Sequence, residues 1–239
     1  MNLSEQKVAD VVASNIKTAH VFKKHGIDFC CGGGVSIEKA CKKKNVDLNT
    51  LLQDLNNIDS KVLPSQNFNN WELDFLIDYI VNTHHVYVVE AIDLIDQYAT
   101  KVANVHGAAE PAVVKIYEIF KTVAEELTSH MHKEENILFP YIKYLVTSQK
   151  QKTVWSAPHF VTVVNPINMM EHEHETVGDL LKQIALISNK YTPPEWACNT
   201  FKALYAKLDE FEQDLHIHVH LENNILFPKA IEIEKSLLN

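Results

Sequence analysis

His130-Met131-His132-Lys133-Glu134-Glu135-Asn136-Ile137-Leu138-Phe139-Pro140 recurs 88 residues on as His218-Val219-His220-Leu221-Glu222-Asn223-Asn224-Ile225-Leu226-Phe227-Pro228. A match of that length is very improbable by chance, so the chain contains an internal repeat. Each copy sets a His and a Glu four residues apart. On an α-helix such residues differ by about 40° in direction and share a face. The flanking apolar residues identify that face. Ile116, Phe120, Val123 and Leu127 lead into His130, with Ile137 and Tyr141 beyond Glu134. Leu204, Leu208, Phe211 and Leu215 lead into His218, with Ile225 beyond Glu222. Both pairs therefore fall where the apolar stripes predict the interior.

A second pattern precedes each copy. His85-x-x-Val88-x-Glu90-x-Ile92 returns 89 residues later as His174-x-x-Val177-x-Asp179-x-Leu181. His174 belongs to the stripe Ile167, Met170, Val177, Leu181 and Ile184. His84 and His85 both have aliphatic neighbours, so periodicity does not separate them; the repeat register selects His85. Long helical patterns run over about 71–103, 111–147, 166–190 and 194–236, with Asn165-Pro166 expected to open the third. Four such helices joined by short connections predict an antiparallel four-helix bundle made of two related hairpins. The expected fold class is all-α.

A buried carboxylate is strongly disfavoured unless it is paired or bound to a metal. A lone core histidine is ordinarily a satisfied one. Two repeated His-x-x-x-Glu pairs in apolar stripes point instead to a metal centre of His85, His130, His174, His218, Glu134 and Glu222. Mixed N and O donors suit iron, manganese or zinc, with iron expected first and manganese behind it. Two carboxylates on opposite hairpins can bridge two ions, leaving two imidazoles to cap each. His132, His172 and His220 fall off the stripes and are expected on polar faces, either solvated or standing behind the ligands. His20, His25, His106 and His159 have no supporting pattern.

The remaining composition narrows the function. The chain of 239 residues carries 22 basic and 31 acidic residues, a net charge of −9, with no basic block. That disfavours nucleic acid or an anionic membrane surface as the main partner. No apolar run is long enough to span a membrane, and the start lacks the apolar core of a secretory signal. Four cysteines in so long a chain favour a reducing, cytoplasmic setting. Residues 1–58 read as a small module of short helices, 59–70 as a linker and 71–239 as the bundle. A flexible linker of about a dozen residues spans about 20 Å, which would let the small module approach the bundle without being fixed to it.

The module holds His25-Gly26-Ile27-Asp28-Phe29-Cys30-Cys31-Gly32-Gly33-Gly34. Three glycines permit positive φ and close backbone approach. A turn into a helix capped by Ser36 would offer unpaired N–H groups, a setting expected to lower a thiol pKa. Adjacent cysteines rarely form an unstrained disulfide with each other. Metal transfer or intermolecular exchange at Cys30 and Cys31 is therefore weighed against a glycine-rich turn with two small thiols.

With both clusters placed, nearly the whole chain resembles the RIC family, the "repair of iron centres" di-iron proteins. Asp28-Phe29-Cys30-Cys31-Gly32-Gly33 is similar to that family's short N-terminal domain. The two His-x-x-x-Glu-x-x-Ile-Leu-Phe-Pro segments and Met170-Glu171-His172-Glu173-His174 resemble its hemerythrin-like bundle. The resemblance implies a non-haem di-iron centre, oxo- and carboxylate-bridged, with His85, His130, His174 and His218 as ligands and Glu134 and Glu222 bridging. It also implies a cytoplasmic protein that restores iron–sulfur clusters damaged by nitric oxide or oxidants, with Cys30 and Cys31 as repair thiols. Its partners would be damaged iron–sulfur proteins, nitric oxide or oxygen species, with a homodimer among the assemblies open to it. The chain departs from the family in the extra histidines His84, His132, His172, His216 and His220. Two other functions stand beside repair. One is a di-iron enzyme reducing nitric oxide or peroxide. The other is a carrier or sensor of oxygen or nitric oxide, against which the cysteine module argues.

Overall fold

A computed structural model describes residues 2–58, 67–153 and 155–238. The fold is all-α, with short N-terminal helices ahead of the antiparallel four-helix bundle. Among the described residues the only extended pairing is an isolated bridge between Lys7 and Ser36. Short helices α1 (Val8–Ser14), α2 (Thr18–Lys24), α3 (Ile37–Lys44) and α4 (Leu48–Asn56) come first. Ser36 and Asp47 cap α3 and α4, accepting from the N–H groups of Lys39 and Thr50. The expected linker lies partly outside the described residues, at 59–66. Its end, Phe68–Asn70, is a helical turn whose Phe68 is buried against Trp71.

Three of the four long rods are not simple α-helices. The first is α5 (Leu73–Tyr79), a π-helical segment Ile80–His85, and α6 (Val86–His106). The second is α7 (Pro111–Lys133), a π segment Glu134–Leu138, and α8 (Phe139–Gln151). The third, α9 (Val164–Ile187), is unbroken. The fourth is α10 (Asn199–Leu221), a π segment Glu222–Leu226, and α11 (Phe227–Leu237). A π segment takes one residue more per turn, so the face of everything beyond it shifts. Ile137, expected in the interior, is 43% exposed, and Leu138 takes the core position instead.

Helix α9 starts upstream of the expected Asn165 cap. The buried Glu234 carboxylate accepts from the Thr162 hydroxyl and, at 2.9 Å, from the Val163 N–H. This ties the chain before Val164, and Pro166, lacking an N–H, sits in the first turn where none is needed.

The chain forms two compact units. One comprises residues 79–141 and 165–215. Its core is Val88, Ala91, Ile95, Ala99, Ile116, Phe120, Val123, Leu127, Val177, Leu181, Leu204, Leu208 and Phe211, with Phe120 edge-on to Phe211 at 5.7 Å. Gly107 closes the α6–α7 turn, where a Cβ would come within 2.3 Å of the Ala103 carbonyl oxygen.

The other unit comprises residues 1–78, 142–164 and 216–239. The N-terminal helices belong to this unit. Helix α1 packs against the 222–226 segment. Its own loop is stitched by Val8 N–H to Val35 O at 3.0 Å and Ala9 N–H to Gly33 O at 2.9 Å. Gly33 is needed for that approach, since a Cβ there would lie 2.3 Å from the Phe29 carbonyl oxygen and 2.9 Å from the Ala9 Cβ. Among the described glycines only Gly26 has positive φ, so of the two uses expected of Gly32–Gly34 the structure shows close approach, at Gly32 and Gly33, and not positive φ.

Candidate metal centre

In the 79–141 and 165–215 unit, Glu134 opens its π segment and is 0% exposed. Two imidazole nitrogens converge on its Oε2: His130 Nε2 at 3.3 Å and His85 Nε2 at 3.4 Å. His174 Nε2 lies 2.9 Å from His130 Nε2. His130, Glu134 and His174 each offer a ligand atom within 4.8 Å of the others.

The far sides of these rings are also fixed. His130 Nδ1 lies 2.9 Å from Glu173 Oε2, and His85 Nδ1 lies 2.7 Å from Glu135 Oε1. An imidazole that donates its Nδ1–H to a carboxylate presents the Nε2 lone pair to a metal. Glu173 also pairs with Lys133. Beside the His130 ring, and then Lys133, the Glu173 carboxyl is held down at about 2.

The structure separates the two histidines that periodicity could not. His85 faces Glu134. His84 turns to Asp214, with its Nδ1 3.0 Å from Oδ1, and lies edge-on to Tyr79. Both are buried, and both lie in the Ile80–His85 π segment.

In the other unit, His218 Nε2 lies 3.0 Å from Glu222 Oε1, and Glu222 is 0% exposed at the head of the second repeat's π segment. The next two residues reach the cysteine turn. Asn224 Nδ2 donates to the Cys30 carbonyl at 3.0 Å and the Phe29 carbonyl at 3.4 Å, and it meets His220 Nδ1 at 3.1 Å. Asn223 Nδ2 lies 3.9 Å from the Cys31 Sγ. The Phe29 ring packs edge-on against His216 and His220, with centroids at 5.9 and 5.8 Å.

These contacts correct two expectations. His220 is not on a polar face. It is 0% exposed because Phe29 covers it, and burial pushes its pKa down to about 4. His132, its counterpart, is exposed as expected, and so is His172. The Cys30 thiol is pushed up rather than down. A hydrogen bond with Cys31 is the largest cause, followed by burial and by Asp28, whose Oδ1 lies 3.2 Å from the Cys30 Sγ. The N–H groups that would have favoured a thiolate are already given to Asp28, from Cys30 at 3.0 Å and Cys31 at 3.1 Å.

Sequence reasoning did not single out Glu135, Asn224 or Asp214. Glu173 stood inside a quoted motif without a role. Glu135 and Asn224 flank or follow the two key carboxylates, so adjacency was their only signal. Of the histidines without a pattern, His25 Nε2 pairs with Asp54 at 2.8 Å, and His106 Nε2 lies 3.4 Å from the Sγ of the exposed Cys198.

The donor set fits iron. Glu134 and Glu222 are carboxylates without solvent, and such groups demand a cation or a proton. The converging atoms are imidazole nitrogens and carboxylate oxygens, a set that suits a divalent or trivalent transition metal and not a soft all-sulfur site. Among the described residues no helix is long and apolar enough to cross a membrane.

Residues 76–230 match the family model described as "Hemerythrin HHE cation binding domain". Residues 4–59 match one described as "Domain of Unknown function (DUF542)". Relatives named "Iron-sulfur cluster repair protein YtfE" from Yersinia pseudotuberculosis serotype IB (strain PB1/+) and Yersinia pestis (strain Pestoides F) are each 34% identical over 234 residues. The matches cover 98% of this chain and 100% of each relative.

Proposed function

Because the chain belongs to the RIC family of hemerythrin-like iron–sulfur cluster repair proteins, we propose that it holds iron and returns it to iron–sulfur clusters damaged by nitric oxide or oxidants in the cytoplasm. The observation that carries this is the convergence of the His85 and His130 Nε2 atoms on the solvent-free Glu134 carboxylate.

Two iron ions are proposed, with His85, His130, His174 and His218 as ligands and Glu134 and Glu222 shared between the ions. The family relationship supports reading these six residues as one centre. Bound iron supplies both redox capacity and the metal to be handed on. The chain's own residues set the terms of that exchange. Glu135 and Glu173 orient the rings of His85 and His130 toward the metal position. The two carboxylates offset cationic charge inside an apolar core. Cys30 and Cys31 are the thiols proposed to assist delivery to a sulfur-ligated acceptor.

The test incubates iron-loaded protein with a [4Fe–4S] enzyme inactivated by nitric oxide and follows recovery of that enzyme's activity. Metal analysis should give two iron equivalents per chain. Wild type should restore the client, and Glu134→Ala and Glu222→Ala should not. Equal recovery with a matching concentration of iron salt would overturn the repair reading.

A further inference from the structure

The internal repeat supplies two copies of one His–Asn device, and the copies are in different states. In the first, Asn136 Nδ2 lies 3.1 Å from His132 Nδ1 and donates back to the carbonyl of His132, on its own helix, at 2.8 Å. In the second, Asn224 Nδ2 keeps the same 3.1 Å approach to His220 Nδ1. Its carbonyl partners, however, are Cys30 and Phe29.

We propose that Asn224 is a two-position latch that seats the Phe29-Cys30-Cys31 turn on the 222–226 segment and releases it by turning its amide back to the His220 carbonyl. That the latch controls repair rests on the reading of the cysteines as repair thiols; the latch itself does not.

The first copy shows that the released position is a satisfied one. When the turn lifts, the Asn224 N–H exchanges one carbonyl for another, and the Cys30 and Phe29 carbonyls are taken up by water. No buried donor is orphaned, which is the usual large cost of breaking an internal hydrogen bond. The seated and lifted states therefore differ mainly by the burial of Phe29 and the hydrogen bonds to Cys30 and Phe29. A gap of a few kcal/mol leaves the lifted state a minor population, the condition for a two-state element.

The thiols follow the latch. Seated, Cys30 is 6% exposed, with its Sγ at Asp28 Oδ1. Lifted, it would be open to an acceptor. Asn223, the preceding residue, faces the Cys31 Sγ, so both cysteines leave the same short segment together. That segment begins at Glu222, so the seat and one proposed metal carboxylate share a single π turn.

The experiment is timed alkylation of the full chain with iodoacetamide, each cysteine followed by peptide mass spectrometry. Cys198 is exposed and serves as the internal clock; Cys41 is buried and serves as the closed control. Asn224→Ala, and Asn224→Asp, which keeps the shape but not the donor, should label Cys30 about five- to tenfold faster than wild type, the change expected from leaving the Cys30 carbonyl without its donor in the seated state alone. Asn136→Ala should leave Cys30 unchanged. Wild-type labelling of Cys30 in both Asn224 variants would overturn the latch. The same proteins are then given the damaged client. Faster labelling with an altered restoration rate supports the positioning role. Faster labelling with unaltered restoration keeps the latch and overturns the repair role of the thiols, whereas failure of the wild type to restore any client strikes the repair reading alone.

Discussion

Glu135 and Glu173 contribute by steering imidazoles rather than by touching a metal. Glu135→Gln and Glu173→Gln should each weaken iron binding by about 10- to 100-fold, measured by competition with a chelator; wild-type affinity in both would show that the rings need no such support. Glu173 also makes a pH prediction for metal-free protein. Its carboxyl is depressed to about 2 by His130 and then Lys133. A depressed carboxyl stabilises the fold above its unfolded pKa of about 4.3 and loses that contribution as the pH falls through its folded value. The stability gap between wild type and Glu173→Gln, from urea unfolding, should shrink as the pH is lowered from about 5 toward about 2. Among the repeat histidines, His132→Ala should leave the metal in place, while Glu134→Ala and Glu222→Ala lose it. His220→Ala belongs to neither group, because it empties a buried position under Phe29 and should cost stability first. The four-residue spacing made the pairing of His130 with Glu134 and of His218 with Glu222 readable in the sequence. The cover over His220 was not readable, since it comes from a residue almost two hundred positions away.

The π segments decide which parts of each rod were legible. Before each one, an α-helical period holds: Ile116, Phe120, Val123 and Leu127 are all buried as the stripe predicts. After Glu134 the period breaks, and Ile137 emerges while Leu138 goes in. Period alone could not choose between His84 and His85 because both have aliphatic neighbours, and both are in fact interior. A π turn amounts to one residue inserted in an α-helix. Deleting Ile137, an exposed residue, should restore the α-helical register. The helix content by circular dichroism should stay near wild type, while the iron content falls because Glu134 and the residues beyond it no longer keep their present register. Retention of full iron in a folded deletion variant would show that the widened turn has no part in placing the carboxylate. The start of α9 is a smaller case of the same lesson: Asn165-Pro166 is a sound local signal, but Glu234, far along the chain, reaches the N–H of Val163 first.

At the scale of the molecule, composition and helical period were enough for the all-α class and the four rods. The way the chain sorts into compact units was not, because residues 1–78 gather with 142–164 and 216–239 through contacts that no local pattern announces. Phe29 is one of the residues that holds that unit together. Phe29→Ala should cost about 3–5 kcal/mol, lowering the melting temperature by about 10 °C in a chain of this size, as read by calorimetry. A change under about 2 °C would mean that the turn contributes little to the fold. Cys198 carries a separate, practical consequence. It is the exposed one of the four thiols, and an imidazole nitrogen stands 3.4 Å from its sulfur. Preparations handled in air should accumulate a covalent pair of chains, visible on a non-reducing gel and cleared by dithiothreitol. Cys198→Ser should abolish that band, so an association that survives the substitution is the one worth assigning to the living cell.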